Sequence, residues 1–216
     1  MASDPITFPV LERARTRPNS LYRSLRFFLD PVLAGCALLA LAPVLAVLAA
    51  VVKCGDRGKI LFRQTRIGKN GRPFVMWKFR TMRPNANAYS RKPTAAGAGL
   101  ITRTGRFLRE RCLDELPQLI SVLKGDMQLI GPRPEMPFIV ESYSARDRER
   151  LRVKPGITGL WQVCAPKDEP IHVNIDFDLH YIQAQCFALD LWIVKETLKI
   201  LIGMRDRDEA PRSTHS

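Results

Sequence analysis

"PVLAGCALLALAPVLAVLAAVV", Pro31 to Val52, runs for 22 positions without a charged residue. As a straight helix it would measure about 33 Å, enough to cross the hydrocarbon core of a bilayer. The alternative, a core helix of a water-soluble domain, rarely stays uncharged for so long. A secretory signal has a shorter apolar stretch with a cleavage site behind it, and this run matches neither feature. It is therefore read as a membrane segment, although a simple crossing fits poorly. Arg13, Arg15, Arg17, Arg23 and Arg26 precede it, while Lys53, Arg57, Lys59, Arg63 and Arg66 follow it. A spanning helix would carry most of that charge on one side. Pro43, near the midpoint, sets its ring against the carbonyl of Leu39 and removes one helical hydrogen bond. Balanced flanks and a central Pro predict a re-entrant helix over residues 21–53 that bends at Ala42-Pro43 and leaves by the face it entered.

The 216 residues carry 34 Lys and Arg against 21 Asp and Glu, a net charge of +13. Such an excess implies an anionic partner: nucleic acid, anionic lipid or a phosphorylated small molecule. Cys36, Cys54, Cys112, Cys164 and Cys186 are odd in number and form no C-x-x-C pair. That pattern speaks against a disulfide framework or a zinc site and fits a reducing compartment. His172, His180 and His215 lack zinc-site spacing as well.

Residues 1–20 mix Pro and Arg without apolar periodicity and read as a flexible basic lead-in; residues 205–216 read as a tail. Between 54 and 204 the chain is mixed. "ILFRQ" and "PFVMWKFR" are predicted strands joined by the turn-rich "IGKNGRP". Period two sets Val75, Trp77 and Phe79 on one face of the second, and Met76, Lys78 and Arg80 on the other. Residues 83–99 read as a loop. Thr104 is placed to cap a short helix carrying Arg106, Arg109 and Arg111, and Pro117 to start a second that Gly125 ends. "MQLIGPRPE" predicts a brief strand and a rigid turn at Arg133, and "KPGITGLWQV" a Pro-Gly turn into another strand. From Leu189 to Met204 a wide apolar face opposes Trp192, Lys195, Glu196 and Lys199. That segment suits either a packed domain helix or one lying in the lipid headgroup plane.

Asp114 and Glu115 are adjacent in "RERCLDELPQL" (Arg109 to Leu119), where capping of a helix start is the plain explanation. Lys78, Arg80, Arg109, Arg111 and Arg133 change the weighing, because they stand on short, apolar-flanked elements around the pair. Cations beside two carboxylates suit phosphoryl chemistry with a divalent metal: the cations neutralise phosphate oxygens, while carboxylates hold Mg²⁺ or attack phosphorus. Neither a G-x-x-x-x-G-K-[ST] loop nor a kinase signature occurs.

"LFRQTRIGKNGRPFVMWKFRTM", "LDELPQLISVLKGDMQLIGPRPE" and "KPGITGLWQV", in that order, resemble the bacterial sugar transferases. More narrowly they resemble the monotopic, single-domain polyprenyl-phosphate phosphoglycosyl transferases, over about residues 21–204. The resemblance implies an α+β fold: a small membrane-associated catalytic domain with an N-terminal re-entrant helix and amphipathic interfacial helices. It implies transfer of a sugar 1-phosphate from a UDP-sugar to undecaprenyl phosphate, on the cytoplasmic face of the bacterial inner membrane. Asp114 would be the nucleophile and Glu115 the Mg²⁺ ligand, with Lys78, Arg109 and Arg133 in the phosphate-binding surroundings. Arg80, Gln64 and Arg66 match motif letters too. The family's usual Ser-Pro at the helix break is Ala42-Pro43 here.

The implied partners are the two substrates and membrane lipid, with no nucleic acid and with room for a homodimer. Two other readings stand beside this one. The +13 charge allows a membrane-tethered nucleic-acid binder, although no recognisable nucleic-acid-binding motif occurs. A non-catalytic scaffold for glycan assembly would keep the fold and drop the chemistry.

Overall fold

The computed structural model describes residues 20–56, 58–83, 100–165, 171 and 174–204. The basic lead-in, nearly all of the 83–99 loop and the 205–216 tail lie outside the described residues.

The apolar run forms two helices, α1 (Ser20–Ala40) and α2 (Ala42–Asp56), bent by 65° at Leu41. No single described helix is long and apolar enough to cross a membrane, but this bent pair passes that test together. Pro43 is the second residue of α2, where its missing N–H costs nothing, so the break falls just before it. Leu41 N–H bonds Ala37 O and Leu45 N–H bonds Leu41 O, both at 2.8 Å, so pairing resumes on each side of the break.

Strands β1 (Leu61–Ile67) and β2 (Pro73–Phe79) pair as an antiparallel hairpin, as the alternation and the Asn70-Gly71 turn predict. Both turn residues have positive φ, 56° and 75°, the backbone that Asn and Gly tolerate best. On β2, Phe74 and Met76 are buried while Val75 is exposed, so the face that carries Lys78 points inward. Phe79 is buried as well, in a separate cluster with Leu48, Val52 and Leu108. Ala34 of α1 packs with Phe74, Met76, Leu119, Val122 and Met127. The apolar helices are thus packed into the body of the domain rather than forming a tether beside it.

Helix α3 (Arg103–Glu110) follows, then a 3₁₀ stretch (Leu113–Gln118) running directly into α4 (Leu119–Leu123). Thr102, not Thr104, caps α3, its Oγ1 accepting from Gly105 N–H at 2.9 Å. Pro117 lies inside the 3₁₀ stretch rather than starting a helix, and Gly125, at φ 82°, ends α4. Strand β3 (Gln128–Ile130) pairs in parallel with β4 (Gly156–Thr158), and the chain between them forms α5 (Pro137–Glu141), α6 (Ala145–Arg148) and a 3₁₀ turn.

The expected strand after Gly156 is confined to β4: "LWQVC" is α7 (Leu160–Cys164), buried throughout. Short apolar runs do not tell a buried helix from a strand. Helices α8 (Ile175–Ala184) and α9 (Phe187–Leu201) close a core of Ile130, Leu160, Val163, Tyr181, Leu189 and Ile193. Glu196 is not on an outer polar face but buried, bonded to Lys199 at 2.8 Å, and Trp192 packs against the core. The exposed stripe of α9 is apolar: Phe187, Leu191, Val194 and Leu198. The α+β class holds.

Arg26 departs furthest from expectation. Counted as a flanking charge, it is 4% exposed. It donates to Tyr181 Oη (2.8 Å) and Ile130 O (2.5 Å), and pairs with Asp190 (3.2 Å) and Asp30 (3.4 Å). Tyr22 and Tyr181 both donate to Asp190, and Asp30 accepts from Leu129 N–H. These bonds tie α1 to β3 and α9.

Candidate active site

A close backbone approach and a left-handed turn place the acidic pair. A Cβ on Gly105 would lie 2.0 Å from the carbonyl oxygen of Thr81, so only glycine lets α3 settle against the end of the hairpin. That approach brings Arg109 Nε within 2.8 Å of Thr81 Oγ1. Cys112 then turns the chain with φ 52°, a left-handed conformation costing a residue with a Cβ roughly 1–2 kcal/mol. The reversal sets Asp114 and Glu115 in the first turn of the 3₁₀ stretch, beside β2.

Glu115 is clamped. Its Oε1 accepts from Lys78 Nζ at 2.7 Å and from Arg133 Nη2 at 2.6 Å, and its Oε2 from Arg133 Nη1 at 3.2 Å. Burial opposes its charge, but Arg133 and Lys78 outweigh burial and hold its carboxyl well below the usual carboxylate range. Reciprocally, the Glu115 charge raises the Arg133 guanidinium, whereas burial lowers the Lys78 ammonium despite Glu115.

Asp114 is different. It is 8% exposed and makes no hydrogen bond or ion pair with the described residues. Burial lifts its carboxyl above the ordinary range; Lys78 opposes this, Glu115 adds to it, and Arg109 and Arg133 oppose it. The site thus holds one carboxylate fixed by cations and another with no bond to the described residues, with three cations close enough to stabilise its charge.

The turn that presents Arg133 is stiff for a reason legible in its carbonyls. Pro132 and Pro134 have no N–H, so the oxygens must find donors elsewhere. Pro132 O accepts from Gly156 N–H (2.9 Å), Arg133 O from Arg150 Nη2 (2.7 Å), Pro134 O from Arg66 Nη1 (3.2 Å) and Glu135 O from Ile67 N–H (2.9 Å). Arg66 is itself gripped by Gln64 Oε1 at 2.6 and 3.0 Å.

Among the residues expected at the site, the structure brings Lys78, Arg109, Arg133, Asp114 and Glu115 together. Gln64 and Arg66 brace the Arg133 turn from behind. The Arg80 guanidinium lies over Gly58, where a Cβ would meet Nη1 at 1.8 Å. Arg111 is exposed. Sequence reading missed Thr81, which orients Arg109, and Arg150. It also passed over Gln118, 1% exposed, whose amide nitrogen has no hydrogen-bond partner among the described residues. Thr81 and Gln118 stand inside the quoted motifs; Arg150 carries no local signal.

No group of three His, Cys, Asp or Glu among the described residues could hold a metal. A Mg²⁺ ion bound by one or two carboxylates, completed by substrate phosphates and water, needs no such group. Asp114 and the remaining lone pair of Glu115 Oε2 fit that donor set.

The chain matches the family model "Bacterial sugar transferase" over residues 21–204. It is 36% identical over 184 residues to the exopolysaccharide production protein ExoY of Sinorhizobium fredii, across 78% of this chain and 81% of that one. It is 40% identical over 182 residues to a UDP-glucose:undecaprenyl-phosphate glucose-1-phosphate transferase of Caulobacter vibrioides, across 81% of this chain and 68% of that one. With a UDP-N-acetylgalactosamine-undecaprenyl-phosphate N-acetylgalactosaminephosphotransferase of Aeromonas hydrophila it shares 34% over 194 residues, 86% of this chain but 45% of the other. A family match over nearly all the described residues, with one open and one clamped carboxylate at its centre, makes the chain a member of the bacterial sugar transferase family, an enzyme of the polyprenyl-phosphate phosphoglycosyl transferase kind.

Proposed function

We propose that the protein moves a sugar 1-phosphate from a UDP-sugar to undecaprenyl phosphate and releases UMP, a first membrane step of bacterial glycan assembly. The observation that carries this reading is the contrast inside the acidic pair. Asp114 is buried, its carboxylate bonded to none of the described residues and surrounded by Lys78, Arg109 and Arg133, while Glu115 is held by two of those cations.

In the first half-reaction an Asp114 carboxylate oxygen attacks the phosphorus that bears the sugar. The phosphorus–oxygen bond to UMP breaks, and UMP leaves. The phosphosugar stays on Asp114 as an acyl phosphate. In the second half-reaction a phosphate oxygen of the lipid attacks the same phosphorus and displaces the carboxylate, giving the diphosphate-linked sugar. One activated linkage replaces another, so no separate nucleotide is consumed, and the water-soluble donor and lipid acceptor use the site in turn. Lys78, Arg109 and Arg133 stabilise charge on the non-bridging oxygens. Mg²⁺, held by Glu115 with Asp114 beside it, would neutralise the diphosphate and ease departure of UMP.

The exposed apolar residues of α1 and α2, such as Phe28, Val32, Leu39 and Val47, together with the α9 stripe, support membrane seating. The 65° bend, the balanced flanking charge and the central Pro support a re-entrant pair with the catalytic body on the cytoplasmic face. The sugar stays open, since the relatives' names span glucose and N-acetylgalactosamine.

The test is to incubate the purified protein with undecaprenyl phosphate and a panel of UDP-sugars and measure UMP release. A radioactive donor sugar should label the wild type covalently and should not label Asp114→Asn. Retention by Asp114→Asn of more than about a hundredth of wild-type turnover, a loss under about 3 kcal/mol, would place the nucleophile elsewhere. For topology, a single Cys at Ser3 in an otherwise Cys-free variant should stay shielded from periplasmic reagents; labelling there rejects re-entry.

A further inference from the structure

Arg150 has no part in the chemistry above, yet it is 2% exposed and every nitrogen of its guanidinium is bonded. Nε and Nη2 donate to Asp178 Oδ2 at 2.9 and 2.5 Å, and Nη1 donates to Tyr143 Oη at 2.9 Å. The remaining bond, from Nη2, goes to the carbonyl oxygen of Arg133 at 2.7 Å. Asp178 is 1% exposed and sits on α8, whose Ile175 packs with Tyr143 and Val140.

We propose that Arg150, held by Asp178 and Tyr143, is the positioning residue of Arg133: a strut that fixes the backbone from which Arg133 reaches Glu115 and the donor's phosphates. The proposal rests on the function given above, because it assigns Arg133 to the donor.

Burying a charged pair is an expensive way to bond one carbonyl, since both ions lose their hydration. Water or a neutral side chain could satisfy that oxygen alone. A planar guanidinium does what neither can: its fork is locked in one plane by a carboxylate and a phenol, so the third acceptor is held at one fixed place. Arg133 needs such precision. Its own guanidinium meets both oxygens of Glu115 in parallel, at 2.6 and 3.2 Å, a two-bond geometry that depends on where the backbone places it. The prolines on either side contribute no N–H donor, so the turn is held through its carbonyls, that of Arg133 among them.

The experiment is a mutant cycle on the full-length protein in detergent or native membrane, read as KM for the UDP-sugar, kcat and thermal midpoint. Arg150→Ala alone would strand Asp178 and risk unfolding. The strut is therefore removed as the pair Arg150→Met with Asp178→Leu, since apolar replacement of a whole buried ion pair tends to keep stability. The expected result is a donor KM raised about tenfold at a near-normal midpoint, consistent with coupling between residues in one network. In an Arg133→Ala background the same pair should change KM less than about twofold, because the residue being positioned is already gone. Tyr143→Phe should fall between wild type and the pair. An undiminished penalty in the Arg133→Ala background makes Arg150 merely structural and overturns the proposal, as does a folded paired variant with wild-type KM. Failure of the wild type on every UDP-sugar is a separate outcome that overturns the function and the strut together.

Discussion

One cluster of charge surrounds Asp190 and another surrounds Asp114, each with a buried carboxyl at its centre. In the first, Arg26, Asp30 and Asp190 are 4%, 6% and 4% exposed, and each is bonded several times, to one another, to Tyr22 and Tyr181, and to the backbone of Leu129 and Ile130. In the second, Lys78, Glu115 and Arg133 satisfy one another, while the Asp114 carboxylate, on a residue only 8% exposed, bonds none of the described residues. A closed cluster gives each of its charges a bonded partner, even though burial still lifts the Asp190 carboxyl against Arg26, and so it holds the fold together. A cluster with one unpaired carboxylate carries an uncompensated cost, which a substrate and its counter-ion can relieve. Between these two clusters, then, burial does not separate structural from chemical charge; completeness of bonding does.

The comparison breaks most visibly at Arg26. Arg26→Ala leaves Asp30 and Asp190 without their cation and should cost roughly 3–5 kcal/mol of stability, read by denaturant or thermal unfolding. A loss under about 1 kcal/mol would mean that the cluster is not closed in the way the bonds indicate.

Asp114→Asn should do the opposite. Turnover should fall at least about a hundredfold, yet the thermal midpoint at neutral pH should equal or exceed that of the wild type. The sign follows from the raised carboxyl of Asp114. A group whose folded pKa lies above its unfolded value favours the fold fully below the ordinary carboxylate range and loses that contribution as pH rises through the folded pKa. The stability gain of the Asn variant should therefore be absent in acid, grow as Asp114 ionises and stay constant above. A gain largest in acid would contradict the desolvation account.

Glu115→Gln removes the clamped member. Activity should fall about tenfold and be partly restored by added Mg²⁺, while EDTA should silence the wild type, as expected for a hard cation with few protein ligands. Full activity in EDTA removes the metal from the mechanism. The smallest effect is expected at Tyr22→Phe, which deletes one hydrogen bond to Asp190 while Tyr181 and Arg26 remain: about 1 kcal/mol of stability, with unchanged kcat in the folded enzyme.

Much of the site was legible because it is local. Asp114 and Glu115 are neighbours in sequence, Lys78 follows from period two on an inward-facing strand, and Arg133 is framed by two prolines. What failed to read depended on distance or on degenerate signals. Thr102 and Thr104 are both competent caps, and the choice fell to Thr102 because α3 begins at Arg103, against the Thr81 carbonyl. Arg80 shares a strand face with Lys78, but the hairpin's end turns it over Gly58. Glu196 reads as a polar-face residue until α9 is seen to bury that side.

By itself the sequence determined that a long uncharged segment breaks at a proline, that a hairpin follows, and that an acidic pair lies among cations. Those features arise from backbone sterics, period and nearest-neighbour charge, all of which act over a few residues. Only the tertiary structure decided which charges are structural and which are open. The partners of Arg26 lie up to 164 positions away at Asp190, and Arg150 meets Arg133 across 17 and Asp178 across 28. Whether a buried ion is compensated depends on every group that reaches it, and no local pattern carries that information.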